Sequence, residues 1–140
     1  MVIAMVKSKG FNGDYTLNPY NMELFDISSL GVFVNDESLP GKPLQISREE
    51  RDWMSAYHAM YDGLNKDGED WGNDISRADF AMGYAFFVFD LLPGDQPALH
   101  KANVRIEGAF SEALAENITI IVYGKFPAML EITEARSILI

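Results

Sequence analysis

The sequence predicts an all-β domain with one inserted helix: an antiparallel β-sandwich of about eight strands, the helix falling near residues 47–63. Three observations predict it. Short apolar or alternating segments recur along the chain, each bounded by Pro, Gly, Asn or Asp. Only one long stretch carries a helical repeat of apolar residues. Strands and helices do not alternate as a parallel α/β sheet requires.

Val2 to Val6 is β-rich and apolar at successive positions, the pattern of a strand covered on both faces in the middle of a sandwich. Phe11-Asn12-Gly13-Asp14 then supplies a turn, and Asn18-Pro19-Tyr20 another, because proline pushes its predecessor out of the helical region. Ile27 to Asn35 reads as a strand with Leu30, Val32 and Val34 on one face and Ser29, Gly31 and Phe33 on the other. Leu39-Pro40-Gly41-Lys42-Pro43 breaks the strand pattern. Ser47 and Glu50 have the spacing of a capping box that would start the helix. Trp53, Tyr57, Met60, Tyr61 and Leu64 then fall on one stripe, and Gly63 ends it.

Gly83 to Leu92 (GYAFFVFDLL) is apolar on both faces and predicts a central strand. Asn103 to Phe110 alternates, with Val104, Ile106 and Phe110 expected inward and Arg105 and Glu107 outward. Ile118 to Phe126 is a long β-branched strand, Pro127 marks its end, and Leu130-Glu131-Ile132 and Ser137 to Ile140 supply the last short strands.

A chain of 140 residues fits one domain, 1–140, able to bury a core without disulfides, and it contains no cysteine. That removes thiol catalysis, zinc fingers and iron–sulfur ligation. The net charge of −10 and scattered basic residues argue against a surface built to neutralise phosphates, so no direct nucleic-acid partner is expected. The opening Met-Val-Ile-Ala-Met-Val is too short for a signal peptide, and no run has bilayer-spanning length; no membrane partner is expected.

The acidic stretch Glu69 to Phe80 (EDWGNDISRADF) invites a metal-loop reading. An EF-hand loop needs Gly at its sixth position and Glu at its twelfth; counted from Asn65, those positions hold Asp70 and Ser76. The stretch reads better as a tight connection, with Asp74 or Ser76 capping a short helical turn that has Asp79 near its start, and with Gly68 and Gly72 in the turn. His58 and His100 lack ligand spacing, and His58, next to the helical stripe, reads as a partly buried structural histidine. No nucleophile elbow, phosphate loop or dinucleotide fingerprint is present. Asn117-Ile118-Thr119 fits a glycosylation sequon but opens a strand. Phe86, Phe87 and Phe89 read as core. No catalytic, cofactor or metal residue is assigned. Two carboxylates facing each other across a sandwich would leave no linear signature, so a hydrolase stays an alternative.

Several segments in order carry a resemblance: FNGDYTLNPYNMELFDISSLGVFVNDESLPGKPLQ, SAYHAMYDG, GNDISRADFAMGYAFFVFDL and NVRIEGAFSEALAENITIIVYGKFPAMLEI. The most specific pieces are Phe11-Asn12-Gly13 with Asn18-Pro19, Pro40 to Gln45, Gly72 to Arg77, and Val122 to Phe126 with Leu130-Glu131-Ile132. Together they resemble the C-terminal part of an uncharacterised invertebrate protein family associated with Maverick/Polinton and adintovirus elements, whose main structural product is a double jelly-roll capsid protein similar to adenovirus hexon. The resemblance implies a sandwich of jelly-roll type and a structural capsid-like protein acting by self-assembly. It implies homo-oligomers or other capsid subunits as partners, and a virion or intracellular assembly site as location. It supplies no catalytic residue. The chain departs from the family in having length for one jelly roll only. The alternative is a binding module whose loops hold a glycan or protein.

Overall fold

The computed structural model describes residues 1–47, 53–64, 73–91, 103–125, 131–132 and 138–139. Val2–Lys7 forms β1, and its four central residues are buried, as an apolar run covered on both faces requires. Ser8–Phe11 makes one helical turn, α1. Ile27–Val34 is β2, Glu37–Gln45 β3, Met54–Gly63 α2 and Arg77–Ala81 α3. Phe86–Val88 is β4, Val104–Phe110 β5, Ile118–Tyr123 β6, Glu131–Ile132 β7 and Ile138–Leu139 β8.

The protein is mostly β, with two antiparallel three-stranded sheets. One has the order β4-β1-β6 and the other β3-β2-β5, while β7 and β8 pair with each other. Buried side chains of both sheets share one cluster: Ile3 and Met5 of β1, Ile27, Leu30 and Val32 of β2, and Phe87 of β4. Ala56 and Met60 of α2 and Phe80 of α3 join it. Helix α2 contacts both β3 and β4, so it bridges the sheets on one flank. Strands β5 and β6 lie at the ends of the two strand orders away from β3 and β4.

Strands β2 and β3 form a hairpin through Asn35 and Asp36, whose φ angles are 50° and 69°. Two left-handed residues give a tight turn whose twist matches the strands, and Asn and Asp tolerate that region best after glycine. Asn35 also ties the turn to the start of β5: its N–H donates to the Asn103 carbonyl at 2.9 Å and its Oδ1 accepts from the Asn103 N–H at 3.1 Å.

Pro40-Gly41-Lys42-Pro43 does not end a strand as its composition suggests. Leu39 pairs with Val32 and Leu44 with Leu30, so these four residues bulge out opposite the single Gly31, and β3 then resumes. Gly41 has φ of +121°, and a β-carbon on Gly31 would stand 3.0 Å from the Pro43 ring. The bare Gly31 backbone is what lets the proline lie against β2.

Other expectations need correction. The helix spans Met54–Gly63 and not 47–63; its N-cap is Trp53, without a side-chain cap, and Ser47 lies well upstream of it. Glu50, its proposed capping partner, falls outside the described residues. Instead, Ser76 and Asp79 form the capping box, at the start of α3: Ser76 Oγ accepts from the Asp79 N–H, and Asp79 reaches back to the Ser76 N–H. One helix was expected and, among the described residues, three helical segments are present, because α1 occupies the start of the predicted turn and α3 completes five residues. The Gly83–Leu92 segment yields a three-residue strand at a sheet end, not a central strand. It is nevertheless buried on both faces, with Phe87 and Val88 both inside, because α2 packs against it. Val104 is 41% exposed, not inward and covered, at the first position of β5, an end strand of its sheet.

Candidate functional site

Among the described residues, those weighed from the sequence do not converge. His58 is exposed on α2, contrary to the expected partial burial, because it lies off the buried Ala56–Met60 face. Its Nδ1 lies 2.9 Å from Asp62 Oδ2, one helical turn on, where solvent screens the pair. His100 and residues 65–72 of the acidic loop lie outside the described residues. Asn73 makes an Asx turn, its Oδ1 accepting from the Ile75 N–H at 3.1 Å, and Asp74 has φ of 56°. Among the described residues no group of three or more His, Asp or Glu side chains could hold a metal ion.

The end of this connection is a packing joint. Tyr57 and Tyr61 hydroxyls both donate to the Ile75 carbonyl, at 2.9 and 3.1 Å, and lie 3.2 Å from each other. One carbonyl with two lone pairs can take both protons. The Tyr57 hydroxyl, followed by loss of hydration, pushes the Tyr61 phenol up to about 12, since a phenolate would lose the hydrogen bonds that its O–H donates and part of its hydration. Tyr57, Phe80 and Phe87 stack edge to face, with ring centroids 5.7 and 6.2 Å apart. Thus α2, α3 and β4 are joined through aromatic rings.

Two surface depressions lie wholly among the described residues. One, about 390 Å³, lies between α2 and α3 and is lined by Trp53, Met54, Arg77, Ala78, Ala81 and Met82. The other, about 530 Å³, is lined by Ser8, Lys9, Asn12, Ala115, Glu116 and Asn117. Neither brings two carboxylates together. Beside the second, Lys7 and Glu116 are 2.7 Å apart, and the Glu116 hydrogen bond and charge hold the Lys7 pKa above its ordinary value. The sequon's Thr119 hydroxyl is engaged with Ser8 Oγ at 2.8 Å.

Sequence reasoning missed the surface that stands out most. In β6, Ile120 and Val122 pair with Met5 and Ile3 of β1 and share their face of the sheet. Met5 and Ile3 are 2% and 1% exposed, whereas Ile120 and Val122 are 53% and 48% exposed. Among the described residues the apolar core face therefore runs out to an end strand with nothing beside it. Its sequence signal was present in the β-branched run Ile118-Thr119-Ile120-Ile121-Val122, but a single strand does not reveal whether it lies inside a sheet or at its edge.

Comparison with known proteins adds one relative. An uncharacterised protein of Caenorhabditis elegans is 21% identical over 145 residues, covering 98% of this chain and 35% of its own length. The chain thus spans about a third of that curated relative. No family model and no solved structure matches it. Among the described residues no helix is long and apolar enough to cross a membrane.

Proposed function

We propose that the protein is a capsid-like structural component of viral or mobile-element origin, a jelly-roll β-sandwich that acts by self-association with copies of itself or with other capsid subunits in a virion or intracellular assembly site. The observation that carries this reading is the half-exposed apolar strip Ile120–Val122, continuous with a core shared by two antiparallel sheets. Large apolar side chains at an uncovered sheet edge favour contact with another protein surface. The resemblance of the ordered sequence segments to a jelly-roll capsid family supports the same reading, and the sandwich-forming connections agree with it: the chain passes between the two sheets from β1 to β2 and from β5 to β6.

Size-exclusion chromatography with light scattering, followed by electron microscopy, tests the proposal. Concentration-dependent oligomers or particles are expected. A strict monomer at high concentration overturns it.

A second reading is favoured by the α2–α3 depression. Met54 is 42% and Met82 78% exposed beside Trp53 and Arg77, a soft, adaptable apolar surface suited to a protein segment. In that reading the domain is a binding module, and Met82→Asp would abolish capture of a partner without altering self-association.

A further inference from the structure

We infer that the free edge of β6 pairs antiparallel with the same edge of a second copy of this chain, across a twofold axis normal to the sheet. This rests on the self-association proposed above and assigns it a surface. Among the described residues β6 hydrogen-bonds to β1 on one side only. Natural edge strands are usually blunted by an inward-pointing charge, a proline or a bulge. Residues 118 to 123, Ile-Thr-Ile-Ile-Val-Tyr, contain no charge and no proline, and their register with β1 is unbroken.

The occupant is argued from symmetry and charge. A twofold axis normal to a sheet keeps each residue on its own face, so only registers pairing residues of like parity are allowed. With the axis at Ile121, Ile120 of each copy lies opposite Val122 of the other. The two half-exposed residues on the core side then cover each other, extending the buried face beyond Ile3 and Met5. The same register brings Lys125 of each copy opposite Asn117, beside Glu116 of the other, whose carboxylate is held by Lys7 of its own chain through one oxygen and is still about a third exposed, at 37%. An acidic group before the strand and a basic group after it make the edge self-complementary when antiparallel, while a parallel pairing would oppose like charges. The net charge of −10 on each copy opposes association at long range. Salt screens that repulsion beyond about 8 Å at physiological ionic strength, so added salt strengthens the pair.

The absence of cysteine from the sequence gives a clean test. Ile121→Cys places one thiol on the proposed axis, and mild oxidation should give a disulfide-linked dimer; Glu37→Cys on β3 should not. Sedimentation of the wild type should show a dimer that tightens with salt. Ile120→Lys should weaken it at least tenfold, and Lys125→Glu, at an exposed site outside the core, should weaken it in the same direction. Should Ile120→Lys disturb folding, the Ile121→Cys cross-link and Lys125→Glu still decide. Association that ignores Lys125→Glu and leaves Ile121→Cys unlinked overturns the β6 pairing while self-association stands. A monomer at every concentration and salt overturns both.

Discussion

Gly63 provides the sharpest test of how α2 is seated on β4. A β-carbon at this last helical residue would stand 2.6 Å from Val88 Cγ1, 3.2 Å from Val88 Cβ and 3.4 Å from the Val88 backbone carbon. Helix propensity alone favours Gly63→Ala by up to about 1 kcal/mol. Against it stands overpacking, which costs about 1–3 kcal/mol in a filled core. A 2.6 Å approach is roughly an ångström inside the ~3.5–4.0 Å optimum for carbon atoms. Val88 is 5% exposed, and its branched side chain has few rotamers to retreat into. The steric effect wins, and Gly63→Ala should destabilise the protein by about 1–2 kcal/mol. Val88→Ala alone should cost about 1.5–3 kcal/mol, from lost burial and the cavity left behind. In the double variant the new methyl enters the vacated space, so the combined loss should fall short of the sum by about 1 kcal/mol. Urea unfolding at constant slope measures all four corners of the cycle. A stabilising Gly63→Ala, or additivity within about 0.5 kcal/mol, would refute the close seating of the helix.

Phe80 is fully buried between the Tyr57 and Phe87 rings, so Phe80→Ala should cost about 3–5 kcal/mol in chemical denaturation. Arg105 instead sits over Phe33 at 4.5 Å and pairs with Glu107 and Asp36 in solvent, and Arg105→Ala should cost under about 1 kcal/mol. Ser76→Ala removes the α3 cap and should lower stability by about 1 kcal/mol, with Ser76→Asp restoring most of it. Because the folded Tyr61 phenol is raised to about 12 from about 10, the folded state keeps a proton that the unfolded chain loses. Its stabilising contribution is complete below about pH 10 and is lost as pH rises to about 12; alkaline titration of tyrosinate absorbance should lose its highest phase in Tyr61→Phe.

Strand identity was legible wherever apolar pattern and turn chemistry agreed, as in β1, β2 and β6. The pairing of strands was not, since a β-branched run looks alike at a sheet centre and at an edge. Among the described residues Val2–Lys7 lies between two neighbours and Ile118–Tyr123 has one, although both read as apolar strands. Local motifs misled where tertiary packing decided. Ser47 and Glu50 had the capping spacing, but α2 begins beside Trp53, whose ring packs on the core. The same motif at Ser76 and Asp79 formed because Phe80, one residue later, is fully buried and anchors the turn. The two prolines of β3 suggested a break because sequence does not show that Gly31 across the ladder leaves room for a bulge. The candidate contact surface was hidden for the first of these reasons: exposure of Ile120 and Val122 depends on what is absent beside β6 among the described residues.

The bulge in β3 has a consequence for assembly. Pro40 and Pro43 have no N–H to donate, and the excursion between Leu39 and Leu44 pulls the backbone of this end strand out of line. A subunit with two receptive margins would template the next copy without end and grow into ribbons. With proline interrupting β3, strand addition cannot propagate from that margin of its sheet, and growth in that direction must be knitted from helices and loops.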